Sequence, residues 1–164
     1  MPTPTEEFIA KTTTSSSAST VTFSSIPNNY TDLIVVINYD SATAGNQSIN
    51  MRFNSDTATN YSYTYLAGSG SAASSSRGSS DNRIYCGSSS TGTTNIASNS
   101  IVNIQNYSNS TTYKTALLRT NNPDYYVFAN VGLWRSTVAI TSITFYQSSY
   151  NFINGSTFSL YGVL

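Results

Sequence analysis

The sequence predicts an all-β protein: an antiparallel β-sandwich, jelly-roll-like, of about ten strands. Three observations carry this. Segments rich in β-branched and aromatic residues alternate with a period of two. Helix formers are scarce, and no apolar 3.6-residue period persists for ten residues. Turn signals recur every ten to fifteen residues, among them Ile26-Pro27-Asn28-Asn29, Ala44-Gly45-Asn46, Asn121-Asn122-Pro123 and Asn154-Gly155; such spacing implies a sandwich or jelly roll.

Taken in order, the first clear strand is the alternation of Val21 and Phe23 with Thr20, Thr22 and Ser24. Leu33 to Ile37 is an unbroken apolar run, which predicts a central strand covered on both faces. Ile49, Met51 and Phe53 alternate with Ser48, Asn50 and Arg52. Tyr61, Tyr63 and Tyr65 share one face, opposite Ser62 and Thr64. Further strands are predicted at about 83–87, 101–107, 113–119, 124–134, 139–147 and 157–163. Residues 67–82 are almost all Gly, Ser and Ala, with Arg77 the only charge before Asp81, and read as a flexible loop between strands; 88–100 reads similarly. The predicted core contains Leu33, Val35, Ile37, Phe53, Phe128, Trp134 and Phe158. The domain organisation expected is an N-terminal arm or edge strand over 1–11 and a single sandwich over 12–164.

Composition narrows the function. The 164 residues include 30 Ser, 23 Thr and 18 Asn, 13 Tyr and no His; only 9% are charged, with seven Lys+Arg against seven Asp+Glu. Without His there is no imidazole base, no His-bearing triad and no His metal ligand. One cysteine, Cys86, allows no internal disulfide and reads as a small buried hydrophobe. A neutral balance with scattered Arg gives no footprint for nucleic acid. The longest apolar run is far short of the roughly 20 residues that span a bilayer. The segment Met1 to Glu7 is polar and acidic, unlike a signal peptide, which predicts synthesis and use without export.

The remaining constellations each have a plain reading. Asp32, Asp40 and Asp56 flank strand ends and could converge as a carboxylate pair of the kind glycosidases need, but Asp at a strand end is usually a turn former. Asn54-Ser55-Asp56-Thr57 offers oxygen ligands, yet a turn is the simpler reading there. No Gly-x-Ser-x-Gly elbow accompanies the many serines. No catalytic, metal or cofactor site is therefore expected. The tyrosine face of Tyr61, Tyr63 and Tyr65 admits three readings: a platform for sugar rings, a subunit interface, or a core face. Phe8 and Ile9 follow two acids near the N-terminus and read either as a segment docked on a neighbouring protein or as the start of an edge strand.

Several segments stand out together: Glu7-Phe8-Ile9, the run from Val21 through Ser24-Ser25-Ile26-Pro27-Asn28-Asn29-Tyr30-Thr31-Asp32 to Leu33, Arg52-Phe53-Asn54-Ser55-Asp56, Asn60-Tyr61-Ser62, Ile104-Gln105-Asn106-Tyr107 with Lys114, Gly132-Leu133-Trp134, Ala139 to Ile143, and the close on Thr157-Phe158-Ser159-Leu160-Tyr161-Gly162. Together they resemble a family of small virion structural proteins of tailed bacteriophages, of the type found in phages of aquatic bacteria, cyanobacteria included. The resemblance covers nearly the whole chain, and departs from the family over 67–100, which is more Ser-rich and less charged. It implies a non-enzymatic virion component, made in a host bacterial cytoplasm. The expected role is a head decoration or capsid-attached protein in several copies, whose partners are other virion proteins and copies of itself. The alternative it leaves open is a tail fibre or tail-associated adhesin that binds a host surface glycan. No catalytic residues carry over.

Overall fold

The computed structural model describes residues 5–41, 47–89 and 96–164. The expected turn at Ala44-Gly45-Asn46 and most of the Pro/Thr-rich N-terminal tip lie outside them. The described residues form twelve strands and no helix. They are β1 (Glu6–Thr13), β2 (Thr20–Phe23), β3 (Asp32–Tyr39), β4 (Gln47–Phe53), β5 (Tyr61–Gly68), β6 (Ala73–Asp81), β7 (Ile84–Ser89), β8 (Ser98–Gln105), β9 (Lys114–Asn121), β10 (Val127–Trp134), β11 (Ile143–Gln147) and β12 (Thr157–Val163). All pairings are antiparallel. Eight strands form one sheet in the order β1-β12-β3-β8-β9-β10-β5-β6, and four form a second in the order β2-β11-β4-β7. The antiparallel sandwich expected from the sequence is therefore present, with twelve strands rather than ten, divided unequally.

The core lies between the sheets and is built from the inward-facing half of each alternation. Leu33, Val35, Ile37, Phe53, Phe128, Trp134 and Phe158, all expected inside, are buried. Aromatic rings fill both ends of the core. Phe158 packs edge-on against Phe152 at 5.0 Å, and Phe53 meets Trp134 at 5.6 Å. Such pairs add to simple area burial. Polar residues that face inward on the large sheet have a specific task. β7 is an edge strand of the small sheet, and its free carbonyls need donors. The Thr120 hydroxyl donates to Cys86 O at 2.6 Å, and Asn130 Nδ2 donates to Tyr85 O at 3.0 Å.

The two chain-terminal strands lie side by side. β12 is held between β1 and β3, so the Leu160-Tyr161-Gly162 close is tied into the sheet. Gly162 is required there because the Tyr30 ring lies directly on it, and a Cβ would overlap that ring. The Tyr30 hydroxyl donates to Glu7 Oε2 at 3.0 Å, so its partner is a side chain of β1.

Two expectations are corrected, and one choice between two readings is decided. Residues 67–82 are not a loop: Ala67 and Gly68 finish β5, and Ala73 to Asp81 form β6, paired in register with β5 from Ala73 to Gly78 and, after a bulge, at Asp81. Tertiary pairing overrides the weak strand propensity of Ser and Gly. Gly78 also lets the Tyr63 ring sit where a Cβ would come within 2.6 Å of it. The Leu33 to Ile37 strand is central, but one face only is covered; Val36 is 42% exposed. Phe8 and Ile9 lie in an edge strand with a register shift between Phe8 and Ala10. Ile9 packs against the core, while Phe8 stays exposed with its ring edge-on to Tyr161 at 5.9 Å.

Candidate functional site

The candidates read from the sequence are placed as follows. Asp32 and Asp40 stand at opposite ends of β3, which at about 3.3 Å per residue separates them by roughly 25 Å. Asp56 lies beside Trp134 of β10, three strand spacings from β3, or about 14 Å across the sheet. These three carboxylates do not converge. Each is occupied locally: Asp32 accepts from Asn106 N–H and Asp40 from Ser41 N–H, both at 2.7 Å. Among the described residues no group of three or more Cys, Asp or Glu is placed to hold a metal ion. Cys86 is a fully buried free thiol, and burial pushes its pKa up, away from the reactive thiolate.

The Asn54-Ser55-Asp56-Thr57 stretch is a structural clasp. Asn54 and Ser55 both have positive φ, at 51° and 56°, and Asp56 N–H donates to Phe53 O at 2.9 Å, a tight turn of the mirror-image type. The Asn54 side chain then spans to the 139–142 segment. Its Nδ2 donates to Ala139 O, while its Oδ1 accepts from the N–H groups of Thr141 and Ser142. The Asp56 carboxylate accepts from Trp134 Nε1 at 2.7 Å, from Asn60 Nδ2 at 3.0 Å and from Ala58 N–H at 2.8 Å. Partial burial alone would raise its pKa. The bonds from Asn60, Trp134 and Ala58, with the Arg52 charge nearby, outweigh burial and hold it below the ordinary aspartate value. A depressed folded-state pKa contributes stability that is present above the unfolded value and is lost as pH falls through the folded one. Denaturation titrations from neutral pH downward should therefore show stability falling through and below the ordinary aspartate range, with a smaller fall in Asp56→Asn. An identical pH profile in the two proteins would refute this role for Asp56.

The tyrosine face points inward. Tyr61 is 0% exposed, stacks on Trp134 at 6.2 Å, and its hydroxyl both accepts from Phe53 N–H and donates to Phe53 O. As an interface or sugar-binding residue it is ruled out by that burial. Tyr63 and Tyr65 are half-buried and meet the Tyr85 ring of β7 at 5.6 and 5.2 Å. Burial pushes the Tyr85 phenol up to about 12. The side chains of β5 that face away from the small sheet are Ser62, Thr64 and Leu66.

Among the described residues, that outer face of the eight-stranded sheet carries most of the exposed large apolar side chains. The strand registers align its side chains into rows that cross the sheet. One row runs Phe8, Tyr161, Ile34, Asn103, Leu117, Val131, Thr64, Arg77. The next runs Lys11, Ser159, Val36, Ile101, Arg119, Ala129, Leu66, Ser75. A third, toward one end of the strands, holds Asn38, Asn99 and Asn121, with Asn38 Nδ2 donating to Asn99 Oδ1 at 2.9 Å. The large apolar side chains here are 37% exposed at Ile101 and 65% at Leu66, with Val36, Leu117, Val131 and Phe8 between. A shallow groove of about 550 Å³ opens among Leu66, Asn103, Leu117, Arg119 and Val131. Of the residues expected at an interface, Phe8 belongs to this face and Ile9, Tyr61, Tyr63 and Tyr65 do not; Val36, Leu66, Ile101, Leu117 and Val131 are not singled out by the sequence. Their signal was present as apolar residues adjacent in pairs, Val35-Val36, Ile101-Val102 and Leu117-Leu118, where a one-sided strand would alternate.

No protein-family profile matches the chain, and no curated protein matches it. Among solved structures, a galectin from Caenorhabditis elegans aligns over 98% of this chain and 96% of its own, at 9% identity and a TM-score of 0.34. At that score the likeness has no bearing on the site.

Proposed function

We propose that this chain is a non-enzymatic structural protein of a tailed-bacteriophage virion, attached to the head shell in several copies, and that it works by docking through the outer face of its large sheet. The observation that supports this most is the group of exposed apolar side chains gathered on one sheet face, Phe8, Val36, Leu66, Ile101, Leu117 and Val131, in a chain whose Asp32, Asp40 and Asp56 carboxylates lie apart and are locally occupied. Apolar side chains exposed together on one face, rather than scattered singly, mark an interaction surface. The sequence resemblance supplies the virion context, and the low charge with many short polar side chains suits a particle coat, because such side chains lose little entropy on ordering. The tyrosine face that would favour a glycan-binding adhesin is turned into the sandwich.

Mixing the purified chain with undecorated heads of the phage that encodes it, followed by sedimentation, tests the proposal. Saturable co-sedimentation is expected, with no retention of host surface polysaccharide by the free protein. Absence from the particles, or turnover of a polysaccharide by the chain, would overturn it.

A further inference from the structure

We propose that the stepped side of the sandwich, where β6 overhangs β7, holds residues Met1-Pro2-Thr3-Pro4 of a neighbouring copy, so that copies join head to tail. The step follows from the unequal sheets. β7, at the edge of the small sheet, packs over β9, β10 and β5, and β6 continues the large sheet past it. Among the described residues nothing covers β6, which is exposed along nearly all its length. Six aromatic rings line the step in an unbroken series. Tyr63 meets Tyr85 at 5.6 Å, Tyr85 meets Tyr65 at 5.2 Å, and Tyr65 meets Phe128 at 5.6 Å. Phe128 meets Tyr126 at 5.4 Å, and Tyr126 meets Tyr125 at 4.4 Å. The five tyrosines are each half-buried, so part of every ring stays open. At the Tyr125 end, the β5–β6 and β9–β10 turns enclose a hollow of about 270 Å³ whose walls include Gly68, Gly70, Pro123, Tyr125 and Tyr126.

The occupant follows from composition. Open tyrosine rings suit extended, proline-bearing backbone. The proline ring packs on an aromatic face and brings no N–H to leave unpaired, while phenol hydroxyls donate to the carbonyls between. Two of the chain's four prolines fall within residues 1–4, and none of those four side chains is charged. Each proline fixes its own φ and pushes the residue before it into extended backbone, so this segment loses little entropy on docking. When it is extended, Pro2 and Pro4 share one face, opposite Met1 and Thr3.

Reach decides that the segment comes from another copy. The hollow stands beside Asn121, which aligns through Asn99, Asn38 and Thr157 with Thr13, the far end of β1 from Glu6. Donor and acceptor therefore lie at opposite corners of the large sheet. From β1 to β6 there are seven strand spacings of about 4.8 Å, or about 34 Å before the offset along the strands is added. Four extended residues reach about 14 Å. A chain cannot fill its own step, and the contact is heterologous, repeating from copy to copy. It leaves the outer face of the large sheet free, so it is independent of docking to a shell.

Sedimentation equilibrium on the full chain tests this. The average mass should climb past that of a dimer as concentration rises, with a Kd per contact on the order of 0.1 mM, the range open to a few buried side chains. Pro2→Ser with Pro4→Ser, both before β1, should leave Tm unchanged and weaken association at least ~10-fold. Tyr126→Ala should weaken it similarly from the acceptor side. Each variant keeps the half the other lacks, so mixing the two should give a 1:1 dimer that grows no further. Should Tyr126→Ala fail to fold, the proline variant serves alone. A wild-type chain that is monomeric at about 1 mM, ten times the expected Kd, overturns the inference. So does association indifferent to the prolines, or a mixture of the two folded variants that stays monomeric. Association that strengthens when the prolines are replaced also overturns it, and would assign Pro2 and Pro4 to guarding the free edge of β1. A chain that associates as expected and never binds particles would keep this inference and remove the virion reading.

Discussion

Replacing Phe53 by alanine is expected to lower folding stability by about 3–5 kcal/mol, the usual cost of emptying a buried aromatic site. Phe53 is fully buried at the end of β4, where it touches rings from two other strands: Trp134 at 5.6 Å and Tyr61 at 6.5 Å. Its own backbone is also engaged, through the Tyr61 hydroxyl and the Asp56 N–H. The cavity therefore opens between the two sheets at the point where the Asn54 turn and the Asp56 carboxylate hold them together. Neighbours fixed by those hydrogen bonds cannot collapse into the gap, so the cost belongs toward the upper end of the range. Natural domains hold about 5–15 kcal/mol in total, so a third or more of the stability is at stake. Guanidinium denaturation with an unchanged slope would measure it. A loss below about 1 kcal/mol would show that Phe53 does not organise the core.

Deleting residues 1–11 is expected to destabilise the free protein severely. Such a deletion would leave the melting temperature unchanged if this segment were only a docking arm. The structure has β1 paired with β12 from Glu6 to Thr13. Removing most of β1 takes away Ile9 and Ala10, which pack on the core, and the Glu7 carboxylate that accepts from Tyr30. It also bares the edge of β12, the strand that closes the sheet. A loss of about 3 kcal/mol lowers Tm by roughly 6–12 °C in a domain of this size. An unchanged Tm would return residues 1–11 to the role of a free arm. Loss of folding in the truncated chain counts for the edge strand.

Part of the candidate surface is legible in the residues, but what covers it is not. The unbroken run from Leu33 to Ile37 shows that both sides of that strand are apolar. It does not show that the same chain supplies both covers, because side-chain alternation records which faces are apolar and carries nothing about what lies over them. Tyr61, Tyr63 and Tyr65 share a face, as their spacing of two requires, but spacing is blind to direction. Tyrosine suits a core, an interface or a ligand equally, and only the packing of β5 over β7 turned these rings inward.

The sequence by itself determined the class of fold, because period-two alternation and turn residues are local chemistry that each segment carries alone. It determined the β12 strand over 157–163, the burial of Val35, Phe53 and Phe158, and the absence of any imidazole chemistry. Tertiary structure alone decided that Ala73 to Asp81 is a strand, since nine residues of Ser, Gly, Ala, Arg and Asp become extended through hydrogen bonds donated and accepted by β5. It also decided that Phe8 lies in an edge strand and that twelve strands divide eight to four. The alignment of single exposed apolar residues from six strands into two rows, interrupted at Asn103 and Arg119, has the same origin. Register between distant strands is set by how side chains from both sheets fill the space between them, and no window of sequence contains that information.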